Sequence, residues 1–290
     1  MISIIICSIK PDLCNQLIDN FKSFIGVDCE FIVFDNREKK WGICKAYNYS
    51  ALKAKYPYLC FIHEDILIKT ENWGKILIDF YEKTTDCGII GFAGGRYAPK
   101  NFSSWNDSFP DIYSNYWEYS EEIKDYVHFF YSPPNQNFSE VVALDGLFLF
   151  LSKKIYEDLK FDEETFDGFH FYDADISLNA SFKYKNYVSN TISIYHRSPG
   201  FFDDSYCNNI LKFQKKWNKY LPTPSMYKSK LNWFKKHCNS AYGTYFLCVN
   251  HHISWQRVLK HLFTENSIFF SIFFVMFYLP FKSFKNKINN

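Results

Sequence analysis

Three short stretches of this chain carry acids or imidazoles where they could act together. His63-Glu64-Asp65 ends the apolar run 58–62. A carboxylate at a strand end, with a second acid beside it, can hold a divalent cation against a diphosphate, because Mg²⁺ and Mn²⁺ leave coordination positions for phosphate oxygens. Such a cation neutralises charge on a leaving nucleoside diphosphate. Asp173 and Asp175 stand at the start of a predicted helix, behind Phe169, His170, Phe171 and Tyr172. A carboxylate there can serve as a general base, and a partly apolar mouth would raise its pKa toward a useful value. His196 follows the apolar run 187–195, where an imidazole could complete a mixed carboxylate/imidazole cation site. Each feature also has a structural explanation. A strand-end acid can cap the next helix, acids at a helix start are favoured by the dipole, and a single histidine is commonly just hydrogen-bonded. P-loop, Rossmann, nucleophile-elbow, HExxH and kinase signatures are all missing from the sequence.

The elements that would position these residues alternate. Ile2–Cys7 is a β-branched run, as a strand buried on both faces would be. A helix over 11–25 follows, then a strand over 30–34 ending at Asp35-Asn36, and a helix over 41–54 entered through Gly42. A third strand covers 58–62, a helix 72–83, and a fourth strand 88–93. Four strand–helix alternations predict an α/β fold with a mostly parallel central sheet flanked by helices. Such sheets bind ligands beyond the carboxyl ends of their strands, where Ser8, Asp35-Asn36 and His63-Glu64-Asp65 stand. Residues 96–140 show no clear period and read as a long loop or insertion, with Trp105, Tyr113, Tyr116 and Trp117 able either to stack on a ligand or to pack the loop down. An apolar run over 141–151 is broken by Asp145-Gly146. Residues 161–172 look loop-like, a helix covers 173–184, and a last strand over 187–195 delivers His196.

The chain has 290 residues, 47% hydrophobic and 22% charged, enough for a sizeable core and too apolar for wholesale disorder. Its nine cysteines form no CxxC pair and no zinc spacing, which favours core thiols in a reducing compartment over a disulfide framework. The apolar start 1–8 lacks a preceding basic region and a cleavage site and reads as a first strand rather than a signal peptide. Residues 1–210 hold 20 Lys/Arg against 30 Asp/Glu, net −10, whereas 211–290 hold 13 against one, net +12. Trp255, Val258, Leu259, Leu262 and Phe263 form one stripe of a basic amphipathic helix, and residues 267–281 carry no charge. That stretch is short for a span of about 20 residues and reasonable as an interfacial anchor. The expected division is therefore 1–210 as the catalytic domain and 211–290 as a basic, aromatic helical extension. The extension would bind an anionic membrane surface from the cytoplasmic side, peripherally on its inner face. A nucleic-acid partner would also suit a basic tail, but the uncharged stretch argues against one.

Several segments together resemble the family 2-type glycosyltransferases of GT-A fold, in particular the small bacterial branch associated with streptomycin-biosynthesis-type proteins. They are Ser-Ile-Ile-Ile-Cys-Ser at 3–8, Ile-Val-Phe-Asp-Asn at 32–36, Gly-Ile-Cys-Lys-Ala-Tyr-Asn at 42–48, Phe-Ile-His-Glu-Asp-Ile at 61–66, Glu-Asn-Trp-Gly at 71–74, Leu-Asp-Gly at 144–146 and Gly-Phe-His-Phe-Tyr-Asp-Ala-Asp at 168–175, followed by His196. The resemblance implies transfer of a sugar from a nucleotide-sugar donor to a saccharide or lipid-linked acceptor, inverting, in surface polysaccharide or glycolipid assembly. It implies a donor site of Ser8, Asp35, Asn36, Tyr47, Glu64 and Asp65, with Asp35 near the base. His63-Glu64-Asp65 stands where the family has Asp-x-Asp, so Asp65, joined by His196, would hold Mn²⁺ or Mg²⁺. Asp173 stands at the family's catalytic base, usually written Glu-Asp. Tyr172 replaces that Glu, which leaves Asp175 as a second candidate. Tyr47 takes the place of a common Arg. Trp105, Asp145, Gly146, His170 and Tyr172 would shape the acceptor pocket. Two other functions fit the same features: a non-catalytic nucleotide- or sugar-binding module, and a metal-dependent nucleotidyltransferase, which would release pyrophosphate instead of a nucleoside diphosphate.

Overall fold

A computed structural model describes residues 1–198 and 203–223, so the helix expected over 255–263 and the uncharged stretch 267–281 lie outside the described residues. The chain divides into two compact units, Met1–Arg96 with Ile112–Gly200, and Tyr97–Asp111 with Phe201–Asn290.

The first unit begins with β1 (Ile2–Ser8), α1 (Pro11–Phe24), β2 (Cys29–Asp35), α2 (Ile43–Ala51) and β3 (Tyr58–Ile62). Next come β4 (Ile66–Ile68), α3 (Trp73–Lys83), β5 (Cys87–Gly91) and β6 (Ala93–Gly95). After the excursion into the second unit follow β7 (Ile112–Ser120), β8 (Asp125–Tyr131), β9 (Phe138–Val141), β10 (Ala143–Leu144), β11 (Phe148–Ser152) and α4 (Lys153–Leu159). The unit closes with α5 (Tyr172–Ser181), β12 (Lys185–Ser189) and β13 (Ile194–His196).

The larger sheet has the order β2-β1-β3-β11-β5-β12-β9. β1 runs parallel to β2 and β3, β11 is antiparallel to β3 and β5, β12 is parallel to β5, and β9 is antiparallel to β12. Five strands therefore share one direction and only β11 and β9 oppose it, which gives the mostly parallel sheet expected. Ile2, Ile4 and Ile6 are fully buried, packed with Leu17 and Phe21 of α1 and Trp73 of α3. The β-branched run is thus an interior strand, between β2 and β3, with both of its faces covered. Pro11 opens α1, where its missing N–H costs nothing.

A smaller sheet, β10-β6-β7-β13-β4 with β8 on β7, stands beside it. Three expectations change here. Residues 96–140 are not a long loop, because they supply the antiparallel β7–β8 hairpin. Its aromatics lie on both faces, which erases the period-2 signal. The strand expected over 88–93 divides at Phe92 into β5 and β6, one in each sheet. The strand expected over 187–195 also divides. Residues 190–193 turn the chain, and β13 joins the smaller sheet between β7 and β4.

In the second unit, Asp203 caps α6 (Asp204–Trp217) by accepting from Tyr206 N at 3.0 Å. α6 carries Phe213 against Phe102 (5.0 Å between ring centres) and Gln214 Nε2 to the Phe102 carbonyl at 3.0 Å. The boundary expected at residue 210 falls inside this helix.

Candidate active site

The turn from β3 to β4 carries His63, Glu64 and Asp65. The side chains of this turn do different work. Glu64 turns to the β1–α1 junction, where its carboxylate accepts from Ser8 Oγ at 2.6 Å and from the Ile9 and Lys10 amides at 3.0–3.2 Å. Lys10, the residue preceding α1, makes no side-chain cap, so the Glu64 carboxylate is the anion at that helix start. Ser8 and Glu64 are thereby committed to each other. Together they tie the β1–α1 junction to the β3–β4 turn.

His63 and Asp65 meet His196 from β13. One potential ligand atom of each lies within 4.8 Å of the others. The β-ladder makes this possible: β13 pairs with β4, placing His196 beside Ile66, and with β7, placing it beside Glu118. His196 Nε2 is 3.5 Å from Asp65 Oδ1, its Nδ1 is 3.9 Å from Glu118 Oε2, and Ser198 Oγ donates to Asp65 Oδ2. Burial opposes charge on Asp65, but the His196 hydrogen bond and charge and the Ser198 hydroxyl outweigh it and hold the carboxyl well below its usual range. Burial likewise opposes charge on His196, and the Asp65 bond and charge win, raising the imidazole. His63 moves the other way, lowered by burial and by His196. Two imidazoles and one carboxylate, converging from three directions and leaving coordination positions open, fit a borderline divalent cation such as Mn²⁺.

Next to this cluster lies the start of α5. Phe171, just before it, has φ of +71°, a left-handed conformation costing an aromatic residue about 1–2 kcal/mol. Held there, the chain presents Tyr172 and Asp173 to Gly146. A Cβ on Gly146 would overlap the Tyr172 hydroxyl and lie 2.9 Å from Asp173 Cβ, so the Leu-Asp-Gly turn needs glycine for this approach. The Tyr172 hydroxyl is 2.9 Å from the Gly146 carbonyl and 2.8 Å from His63 Nε2. The Asp173 carboxyl is pushed up to about 7 by burial and by the nearby Asp145 charge, against the lowering effect of backbone N–H groups. A carboxyl titrating near neutrality beside a cation site is what a general base needs.

The other expected site residues are placed as follows. Asp35 is exposed and paired to Arg37 at 2.5 Å, which brings its carboxyl down to about 2. The Asn36 side chain is spent on both backbone groups of Trp41, at 2.7 and 2.9 Å, so it shapes the loop. Tyr47 is buried and donates to the Ile62 carbonyl at 3.1 Å, within ring contact of Phe61, Phe161 and Tyr172. That makes it support beneath the site, not a donor contact. Tyr172 is likewise buried and lies under the expected acceptor wall. Asp175, two residues beyond Asp173 and so off its face, lies buried toward Cys44, where burial and then the Asp175 charge push the thiol up. His170 is buried, and Asp145 accepts from the Leu147 amide at 2.9 Å. Trp105 begins a 3₁₀ turn of the second unit, which contains none of the other expected site residues. Two roles at the site were not expected from sequence, His63 as a ligand and Glu118 from the β7–β8 hairpin, whereas Phe169 belongs to the apolar mouth expected before Asp173. Phe169 is 51% exposed with its ring 5.6 Å from that of His63. His63 could have been found from its i, i+2 spacing to Asp65. Glu118 had no signal once its strand was taken for loop.

A strand-end cation cluster, a near-neutral carboxyl at a helix start and a mostly parallel sheet define a GT-A-type α/β protein. The chain belongs to the glycosyltransferase-like family, whose sequence model matches residues 3–216. Among solved structures it resembles GalNAc-T7 with UDP, GalNAc and Mn²⁺ (12% identity, 76% of this chain and 49% of that one, TM-score 0.51). It also resembles residues 1–349 of S. aureus TarS in complex with UDP-GlcNAc (10% identity, 90% and 79% covered, TM-score 0.50). The chain thus spans about half the length of the GalNAc-T7 structure. At these identities the likeness is one of fold. No curated protein matches it in sequence.

Proposed function

We propose that this protein is a nucleotide-sugar-dependent glycosyltransferase that inverts the anomeric centre, with Asp173 as its general base. The observation that carries the reading is the joining of two chemistries through one side chain. Tyr172 touches His63 of the cation cluster, and its neighbour Asp173 is a carboxyl with a pKa of about 7. His63, Asp65 and His196 would hold Mn²⁺ or Mg²⁺, whose charge would stabilise the departing diphosphate. Asp173 takes the proton of an acceptor hydroxyl as that oxygen attacks the sugar. Asp145 keeps Asp173 basic through like-charge repulsion. The exposed Phe169 ring beside His63 offers a stacking surface for a sugar. The solved neighbours were captured with UDP, with UDP-GlcNAc and with Mn²⁺, which favours a UDP-sugar donor here. The acceptor is a saccharide or a lipid-linked glycan of surface polysaccharide assembly. The basic segment 211–290 holds the enzyme on the cytoplasmic face of an anionic membrane; this is supported by its net charge of +12.

The test is a thermal-shift panel of nucleoside diphosphates and sugar nucleotides with and without Mn²⁺, followed by product analysis with the donor that binds. Mn²⁺-dependent stabilisation, release of a free nucleoside diphosphate and an inverted anomeric product are expected. Release of pyrophosphate from a nucleoside triphosphate would make the protein a nucleotidyltransferase. Donor binding with no turnover in any acceptor mixture would make it a binding module.

A further inference from the structure

Tyr172 is only 3% exposed, and its ring is packed among Tyr47, Phe161 and Phe169 at 5.8, 6.0 and 6.2 Å between centres. Its hydroxyl lies between two partners, the Gly146 carbonyl at 2.9 Å and His63 Nε2 at 2.8 Å. A carbonyl oxygen can only accept, and a phenol has one proton to give. Both bonds form together in a single arrangement: the Tyr172 O–H donates to the Gly146 carbonyl, and a His63 Nε2–H donates to the Tyr172 oxygen. A neutral imidazole carries one N–H, so its lone pair then sits on Nδ1.

We infer that Tyr172 is a positioning residue that locks His63 in its Nε2–H tautomer and so makes Nδ1 the ligand nitrogen of the His63–Asp65–His196 site. The consequence for catalysis rests on the cation-dependent reading above, whereas the lock itself does not. Outer partners of this kind fix which nitrogen of a histidine binds metal and how its ring is turned. The arrangement depends on Gly146, because a Cβ there would occupy the position of the Tyr172 hydroxyl. It also places one residue between two duties. The same turn of α5 that fixes a cation ligand through Tyr172 carries the base Asp173.

The full-length protein labelled with ¹⁵N-histidine reads the tautomer directly by long-range ¹H–¹⁵N correlation, with His63 assigned by its loss in His63→Gln. Mn²⁺ affinity is measured separately by electron paramagnetic resonance, without donor. Wild-type protein is expected to show His63 protonated on Nε2. Tyr172→Phe keeps the ring and removes the lock, so it should weaken Mn²⁺ binding about tenfold or more and shift the His63 pattern toward a tautomer mixture. Gly146→Ala keeps the hydroxyl but not its place and should weaken Mn²⁺ similarly. A His63 Nδ1–H tautomer in the wild type overturns the inference. So does an unchanged Mn²⁺ affinity in folded Tyr172→Phe protein whose only defect is a lower Tm, as does wild type that binds no Mn²⁺. If the tautomer and both affinity losses appear but no donor sugar is transferred, the lock stands and the glycosyltransferase reading falls.

Discussion

Asp173 is held near neutrality by a cost to the fold. An ordinary aspartate in the unfolded chain titrates near 3.9, while the native side chain titrates at about 7. The native state therefore keeps a proton that the unfolded chain has lost. This contribution to stability is complete below about pH 4 and disappears as pH rises through about 7. Asp173→Asn supplies a neutral side chain of the same shape. It should raise Tm on the order of 3 °C or more at pH 8 and by less than half as much at pH 5, while reducing kcat on the order of 10²–10⁴-fold. Differential scanning calorimetry at the two pH values, beside turnover, checks both halves. Gain at high pH with loss of activity is the mark of a functional acid; an unchanged Tm at pH 8 would mean the carboxyl is not raised. The same titration predicts that wild-type turnover falls below about pH 7, as Asp173 takes up the proton it must be free to accept. The sequence shows the pair Asp173 and Asp175 but cannot choose between them. The proposal of Asp173 rests on Gly146 and Asp145, some thirty residues away in the chain, which lie close to it.

The β3–β4 turn shows how much of a motif can be read before its partners are known. Asp65 was visible as an acid at a strand end because the apolar run 58–62 stops there. His63 was not visible as a ligand, because a histidine shows that role only when a second strand brings His196 beside it. Elements whose burial sets their pattern were plain in the sequence: β1, β3, α1 and α3. Those of the smaller sheet were not. β7 and β8 bury neither face cleanly, and β4, β6 and β13 are three residues each. Glu64 reads from sequence as part of the donor site beside the cation and braces the β1–α1 junction in the structure, and a brace predicts a different outcome from a cation ligand. Glu64→Gln replaces an anion accepting from Ser8 Oγ and two backbone amides by a group whose N–H atoms face those same donors. It should cost about 1–3 kcal/mol and several degrees of Tm, weaken donor binding through the β1–α1 loop, and leave Mn²⁺ affinity within about twofold. Asp65→Asn also lowers Tm, because it gives up the charge paired with His196, but it differs in losing Mn²⁺ binding by at least about tenfold. A Glu64→Gln protein that keeps its Tm and loses Mn²⁺ would make Glu64 a cation ligand instead of a brace.

Charge along the chain separates two tasks that a single active site would not require. Residues 1–210 are net −10 and contain the cation cluster and its acids, whereas 211–290 are net +12 with one acid. An acidic body is repelled by an anionic bilayer and the basic segment is drawn to it, so the two together set which part approaches the surface. Each Lys or Arg near such a surface contributes about 1 kcal/mol, and that contribution fades within a Debye length of about 8 Å at physiological salt. Apolar insertion does not fade with salt. Residues 250–290 hold five Lys/Arg against one Glu together with the uncharged stretch 267–281, so their removal should take away the apolar insertion and part of the charge attraction, leaving the eight Lys of 211–249 and the contacts of α6 with 97–111 in place. In sedimentation with vesicles containing anionic lipid, the full chain should pellet at low salt and be released only in part at 0.5 M. The chain ending at residue 249 should bind at least about tenfold more weakly and be fully salt-sensitive. With a soluble acceptor sugar the two should turn over alike, because the cation cluster and Asp173 lie within residues 63–196. Equal vesicle binding by both chains would leave residues 250–290 without this role.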